Sequence, residues 1–148
     1  MALRKIRVEG DPLLRKKSRE IEEVNDRIKV LAQDMLETME AAEGVGLAAP
    51  QIGILKRLIV IDIGQGPIAC VNPVIVDKSG EEIDEEGCLS VPGKSGKVLR
   101  PHKVIVEYED LEGNEVGIEA EGLLARVFCH EIDHLDGILY IDKLVEEE

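Results

Sequence analysis

The sequence predicts an α+β fold: small antiparallel β-sheets packed around a C-terminal helix bearing His130-Glu-Ile-Asp-His134, with an amphipathic helix near the N-terminus. Three observations carry this reading. Apolar residues recur at helical spacing after Asn25 and again after Gly122. Between these stretches lie short runs rich in β-branched residues. Glycines and prolines punctuate the intervening chain and bound those runs.

The first helix follows from Ile28, Leu31, Ala32, Met35, Leu36 and Met39, which fall on one face, with Asn25 as N-cap and Gly44 as the expected stop. The run Gly44-Val-Gly-Leu-Ala-Ala-Pro-Gln51, continuing to Gly53, reads as a loop or irregular edge that permits close backbone approach. Strands are expected over 58–63 and 69–76, and a hairpin over 103–109 and 115–121 with its turn at 111–114. The segment Glu86-Gly-Cys-Leu-Ser-Val-Pro-Gly93 reads as tight and irregular. After Gly122, the residues Leu123, Leu124, Val127, Phe128, Ile132 and Leu135 define a buried helix face that Gly137 ends.

At 148 residues the chain fits one domain, residues 1–148, so its motifs are expected to serve one site. Its 18 basic and 31 acidic residues give a net charge of −13, which disfavours phosphate backbones and anionic lipid surfaces; no direct DNA binding is expected. No run approaches the roughly 20 apolar residues of a membrane span, and the first residues lack a signal-peptide core. A cytoplasmic location is therefore expected, with Cys70, Cys88 and Cys129 reduced.

The strongest chemical signal is the pair His130 and His134, which a separation of four residues brings onto one helix face. Glu131 lies about 100° further round, beside a shared ion without ligating it, where a general base is needed. A catalytic site of the zinc type takes three protein ligands and leaves a fourth position for water. Cys129 would point away from His130, and His102 stands alone near a strand start. Cys88, in its tight segment, is the third ligand read from the sequence.

Three segments in order, Gly44-Val-Gly-Leu-Ala-Ala-Pro-Gln51, Glu86-Gly-Cys-Leu-Ser90 and His130-Glu-Ile-Asp-His134, resemble the motifs of peptide deformylases. The resemblance implies removal of the formyl group from formyl-methionyl nascent peptides, with Cys88, His130 and His134 on one divalent metal ion and Glu131 as acid and base. It implies Fe2+ in the cell; by donor chemistry Zn2+, Ni2+ or Co2+ also suit the set. It assigns the developing oxyanion to Gln51 and the N–H of Leu89. It further implies that the substrate pairs near Gly46 and that Val45, Leu123, Val127 and the His130 ring line the methionine pocket.

The sequence departs from many relatives at Cys129, where they carry glutamine, and it reads as core filling. It ends at Glu146-Glu-Glu148, without the C-terminal helix some relatives use on the ribosome, so only transient ribosome contact through another surface is expected. A structural ion pair of Glu86 and Arg100 is expected to hold the Cys88 segment. Two other functions fit the helix motif: a zinc peptidase, and a non-catalytic protein with Cys129 or His102 closing a four-ligand site.

Overall fold

The computed structural model describes residues 2–145; Glu146, Glu147 and Glu148, at the acidic end noted above, lie outside them. Helix α1 spans Asp26–Ala41 and begins at Asn25, whose side chain accepts the Ile28 N–H at 3.1 Å. Its end differs from expectation. Glu43, not a glycine, takes the left-handed conformation, with φ 58°. The Gly44 N–H then reaches back to the Met39 carbonyl at 2.9 Å and the Glu43 N–H to Glu40 at 3.0 Å, closing the helix.

Five strands form one antiparallel sheet in the order β1-β2-β3-β6-β7: Gly46–Ala48, Leu58–Ile61, Ile68–Ser79, Lys103–Glu109 and Glu115–Glu121. Strand β2 is the four-residue run Leu58, Ile59, Val60 and Ile61, buried throughout because both faces are covered. Ile59 and Ile61 pack with Phe128, Ile132 and Leu135 on one side; Leu58 and Val60 pack with Leu31, Met35 and Met39 on the other. Helices α1 and α2 thus sandwich the sheet, and side-chain alternation along β2 feeds both cores. The hairpin β6–β7 has the predicted bounds, whereas β2 stops two residues early and β3 runs on to Ser79.

The segment around Cys88 is ordered as strand, not irregular. Strands β4, Glu82–Cys88, and β5, Val91–Arg100, form a separate two-stranded sheet that turns at Leu89 and Ser90. Pairing supplies the order: a register shift between Gly87 and Cys88 sets Cys88 opposite Val91.

Helix α2, Leu123–Leu135, lies between this hairpin and the five-stranded sheet. Gly122 starts it at φ 60°, a conformation that favours glycine. Gly137, at φ 76°, ends it, with its N–H on the His134 carbonyl and that of Ile138 on Asp133. No helix among the described residues is long and apolar enough to cross a membrane.

Candidate active site

Helix α2 is buried on nearly every side, so each of its stripes meets a different partner. Ala125, Phe128, Cys129, Ile132 and Leu135 face the sheet core. Arg126, His130 and His134 recur every four residues and form the stripe toward the β4–β5 hairpin. Val127 and Glu131 press on β1, where a Cβ on Gly46 would lie 2.9 Å from Val127 Cγ1 and 2.5 Å from Glu131 Oε2. Only a glycine permits this approach.

The ligand atoms of Cys88, His130 and His134 lie within 4.8 Å of one another, with Cys88 Sγ 3.3 Å from His134 Nε2. Two N–H donors turn to the sulfur, from the Ser90 backbone at 3.4 Å and Gln51 Nε2 at 3.5 Å. Burial, joined by the positive field of His130 and Arg100, holds the His134 pKa well below the ordinary value, keeping its imidazole in the neutral form that ligates cations.

His130 is oriented from behind. Its Nδ1 lies 2.9 Å from Glu86 Oε1, which leaves Nε2 for the sulfur side. Glu86 also accepts from Arg100 Nε at 2.8 Å, Arg100 Nη2 at 3.0 Å and Arg126 Nη1 at 2.7 Å. Burial alone would raise the Glu86 pKa, but the hydrogen bonds from His130 and Arg100 outweigh it and bring the carboxyl down to about 2. The Glu86–Arg100 pair expected from the sequence therefore forms, and Arg100 Nη1 extends it to Asp133 at 2.6 Å. The Tyr140 ring stacks on that of His130 at a centroid distance of 6.1 Å.

In front of the ligand atoms lies a cavity of about 350 Å³. Val45, Gly46, Gln51, Cys88, Leu89, Leu123, Val127, His130 and Glu131 all line it; His134 sits behind, 1% exposed. Gln51 is held at both ends of its amide: Oε1 accepts the Ala48 N–H at 2.9 Å and Nε2 donates to Ser90 Oγ at 3.1 Å. Burial raises the Glu131 pKa to about 7, where a carboxyl group can both take and give a proton near neutrality.

The residues fit a metal ion. One sulfur and two imidazole nitrogens are a borderline-soft donor set, and Glu131 Oε1, in the wall of the same cavity, is buried without a hydrogen-bond partner. The remaining candidates lie elsewhere. His102 is more than half exposed and pairs with Glu82 at 2.6 Å, while Cys129 belongs to the apolar core, so neither closes a fourth position. All three cysteines are free. Sequence reasoning missed Arg126, which also bonds the carbonyls of Val98 at 2.9 Å and Glu82 at 2.8 Å. Its signal was a charged residue one turn before His130 on a buried helix stripe.

A three-donor cluster open toward a cavity, with a buried carboxyl group at its side, defines a metal-dependent hydrolase. Similarity to known proteins narrows this class. The polypeptide deformylase family matches residues 3–148. A peptide deformylase from Agathobacter rectalis is 59% identical over 97% of this chain and 91% of its own length. Peptide deformylase 1 of Clostridium acetobutylicum is 55% identical over 100% and 99%. The crystal structure of peptide deformylase from Thermotoga maritima superposes with a TM-score of 0.97 at 43% identity, covering 99% of this chain and 100% of that one. The chain belongs to the peptide deformylases, metal-dependent enzymes that remove N-formyl groups from nascent polypeptides.

Proposed function

We propose that Cys88, His130 and His134 hold one divalent metal ion, Fe2+ in the cell, and that Glu131 is the acid and base of deformylation. The observation that carries this reading is the buried, unpartnered Glu131 carboxyl oxygen beside the S/N/N donor cluster, in the cavity wall. The ion supplies Lewis acidity, polarising the formyl carbonyl and making water a better nucleophile near neutral pH. Zn2+, Ni2+ and Co2+ suit the same donors, so metal identity depends on supply as much as on affinity.

Each protein group has one task. Glu131 takes a proton from the attacking water and returns it to the departing amine. The Gln51 amide, fixed by Ala48 and Ser90, and the Leu89 N–H donate to the oxygen that gains charge. Strand β1 is an edge strand, so a peptide backbone can add beside Gly46. Val45, Leu123 and Val127, with the His130 ring, take the methionine side chain; Val45 and Leu123 are 45% and 56% exposed, as apolar groups awaiting a ligand would be.

The chain works as one catalytic domain, residues 1–148, in the cytoplasm, and meets formyl-methionyl nascent peptides with transient contact to the ribosome. The zinc-peptidase and closed-site readings are not favoured, given the family match and the remote surroundings of His102 and Cys129. The deciding experiment is anaerobic hydrolysis of formyl-Met-Ala-Ser by protein loaded with iron or nickel, following formate and peptide fragments together. Glu131→Gln is expected to bind metal normally and to lose about 10²- to 10⁴-fold in kcat. Undiminished formate release by Glu131→Gln, or cleavage inside the peptide, would overturn the proposal.

A further inference from the structure

The first residues of the chain carry no catalytic group, yet they connect the two segments on which the oxyanion donors sit. The Arg7 N–H donates to the Gln51 carbonyl at 2.7 Å, and two residues on, the Glu9 N–H donates to the Ser90 carbonyl at 2.6 Å. Gln51 and Ser90 are themselves joined, from Nε2 to Oγ at 3.1 Å. Residues 7–9, Gln51 and Ser90 therefore make a closed ring, one side of which is a bare stretch of backbone.

Both ends of that stretch are anchored. Upstream, the Arg4 N–H donates to Thr38 Oγ1 at 2.9 Å, and its guanidinium donates to Asp34 Oδ2 at 3.0 and 2.9 Å, fastening the chain to α1. Downstream, Arg7 pairs with Asp11 at 3.0 Å, and the Asp11 side chain accepts the Leu13 N–H at 3.0 Å to start a 3-10 turn at Pro12–Arg15. The Arg7 side chain also lies over Gly53, where a Cβ would come within 2.7 Å of Nε.

We infer that residues 7–9 are a positioning strap, holding the Gln51 turn and the hairpin tip at a fixed separation so that the Gln51 amide keeps its aim into the cavity. The physical reason lies in the connectivity. Gln51 follows β1 of the large sheet and Ser90 tops the separate two-stranded sheet, and among the described residues no strand pairing joins the two sheets. The side-chain bonds of Gln51 to Ser90 and Cys88 leave its turn free to pivot about the hairpin tip, whereas two backbone bonds across the same gap fix distance and direction together. An oxyanion donor is worth most when it is preorganised, and a displacement of about 1 Å costs on the order of 10²-fold in rate.

The inference rests on the reading of Gln51 as a donor to the oxyanion, so the test includes that residue. Glu9→Pro removes the N–H that bonds Ser90, Glu9→Ala keeps it, and Arg4→Met slackens the upstream anchor without touching the ring. For each, kcat, KM, bound metal and thermal midpoint are measured with a formyl-methionyl peptide. Glu9→Pro is expected to lose about ten- to hundredfold in kcat per bound metal with KM nearly unchanged, because the strap serves a contact made in the transition state. Arg4→Met should lose less in the same direction, and Glu9→Ala nothing.

Gln51→Leu separates the two claims. If it costs about 10²- to 10³-fold while Glu9→Pro and Arg4→Met keep wild-type kcat per bound metal, the strap is overturned and the donor reading stands. A lowered thermal midpoint with unaltered kcat is the outcome of a merely structural segment and overturns it equally. If Gln51→Leu is silent, the donor reading fails and the strap with it. Should Glu9→Pro not fold, Arg4→Met decides by the same kcat criterion.

Discussion

Replacing Gly46 by alanine adds one methyl group where β1 meets α2. The new Cβ would lie 2.5 Å from Glu131 Oε2, 2.9 Å from Glu131 Cγ and 2.9 Å from Val127 Cγ1. To restore ordinary contact at 3.4 Å, the carboxylate must retreat by about 0.9 Å, and Val127 must yield as well. Overpacking of this kind costs about 1–3 kcal/mol of stability. The catalytic cost is of similar size, since about 1 Å of misplacement in a proton-transfer group lowers the rate on the order of 10²-fold, or about 2.7 kcal/mol. Formate release under saturating substrate, metal content and thermal unfolding report the three quantities separately. Gly117→Ala is the control, because a Cβ there meets nothing within 4 Å. A Gly46→Ala enzyme with wild-type kcat and metal content would refute the argument that Glu131 needs this bare strand edge.

Arg100→Ala should destabilise the fold by about 3 kcal/mol, the lower end for a broken buried pair because Arg126 still bonds Glu86, and should speed metal loss to a chelator; melting curves and chelator competition check both, and unchanged metal retention would contradict the support given to His130. For Asp34, the Arg4 hydrogen bonds lower the pKa despite burial, so its contribution to stability is full above the unfolded value of about 3.9 and is lost as pH falls through the depressed folded value. The gap in thermal midpoint between wild type and Asp34→Asn should therefore be wide at neutral pH and close only below about pH 4; a gap independent of pH would exclude the ionised pair as its source.

Much of the scaffold is legible in the sequence because it depends on local periodicity. Asn25 starts α1 and Gly137 closes α2 through bonds within a few residues, and the hairpin β6–β7 alternates with a short turn. The β4–β5 hairpin is not legible. Its strands carry Asp84, Glu85, Pro92, Gly93 and Gly96 with little apolar alternation, and Tyr140 and Arg126, from elements far along the chain, cover it. The end of α1 misled for a related reason: Glu43 accepts the left-handed turn, while Gly44 is kept bare by Leu89, whose Cδ1 would lie 2.7 Å from a Cβ. The three motifs were visible as residues, but the ring from Arg7 through Gln51 to Ser90 runs through backbone groups that any sequence possesses.

The donor cluster joins residues far apart in the chain, Cys88 preceding His134 by 46 positions. Synthesis runs from one end at about 5–20 residues per second, so a growing chain carries the thiol for roughly 2–9 s before the second imidazole exists. During that interval the sulfur has neither α2 nor the full nitrogen pair beside it and behaves as an ordinary thiol. With the ligand set proposed above, the full set of donors for a cation is complete only once His134 has been made, and until then the Cys88 sulfur meets oxidants with no ion to shield it.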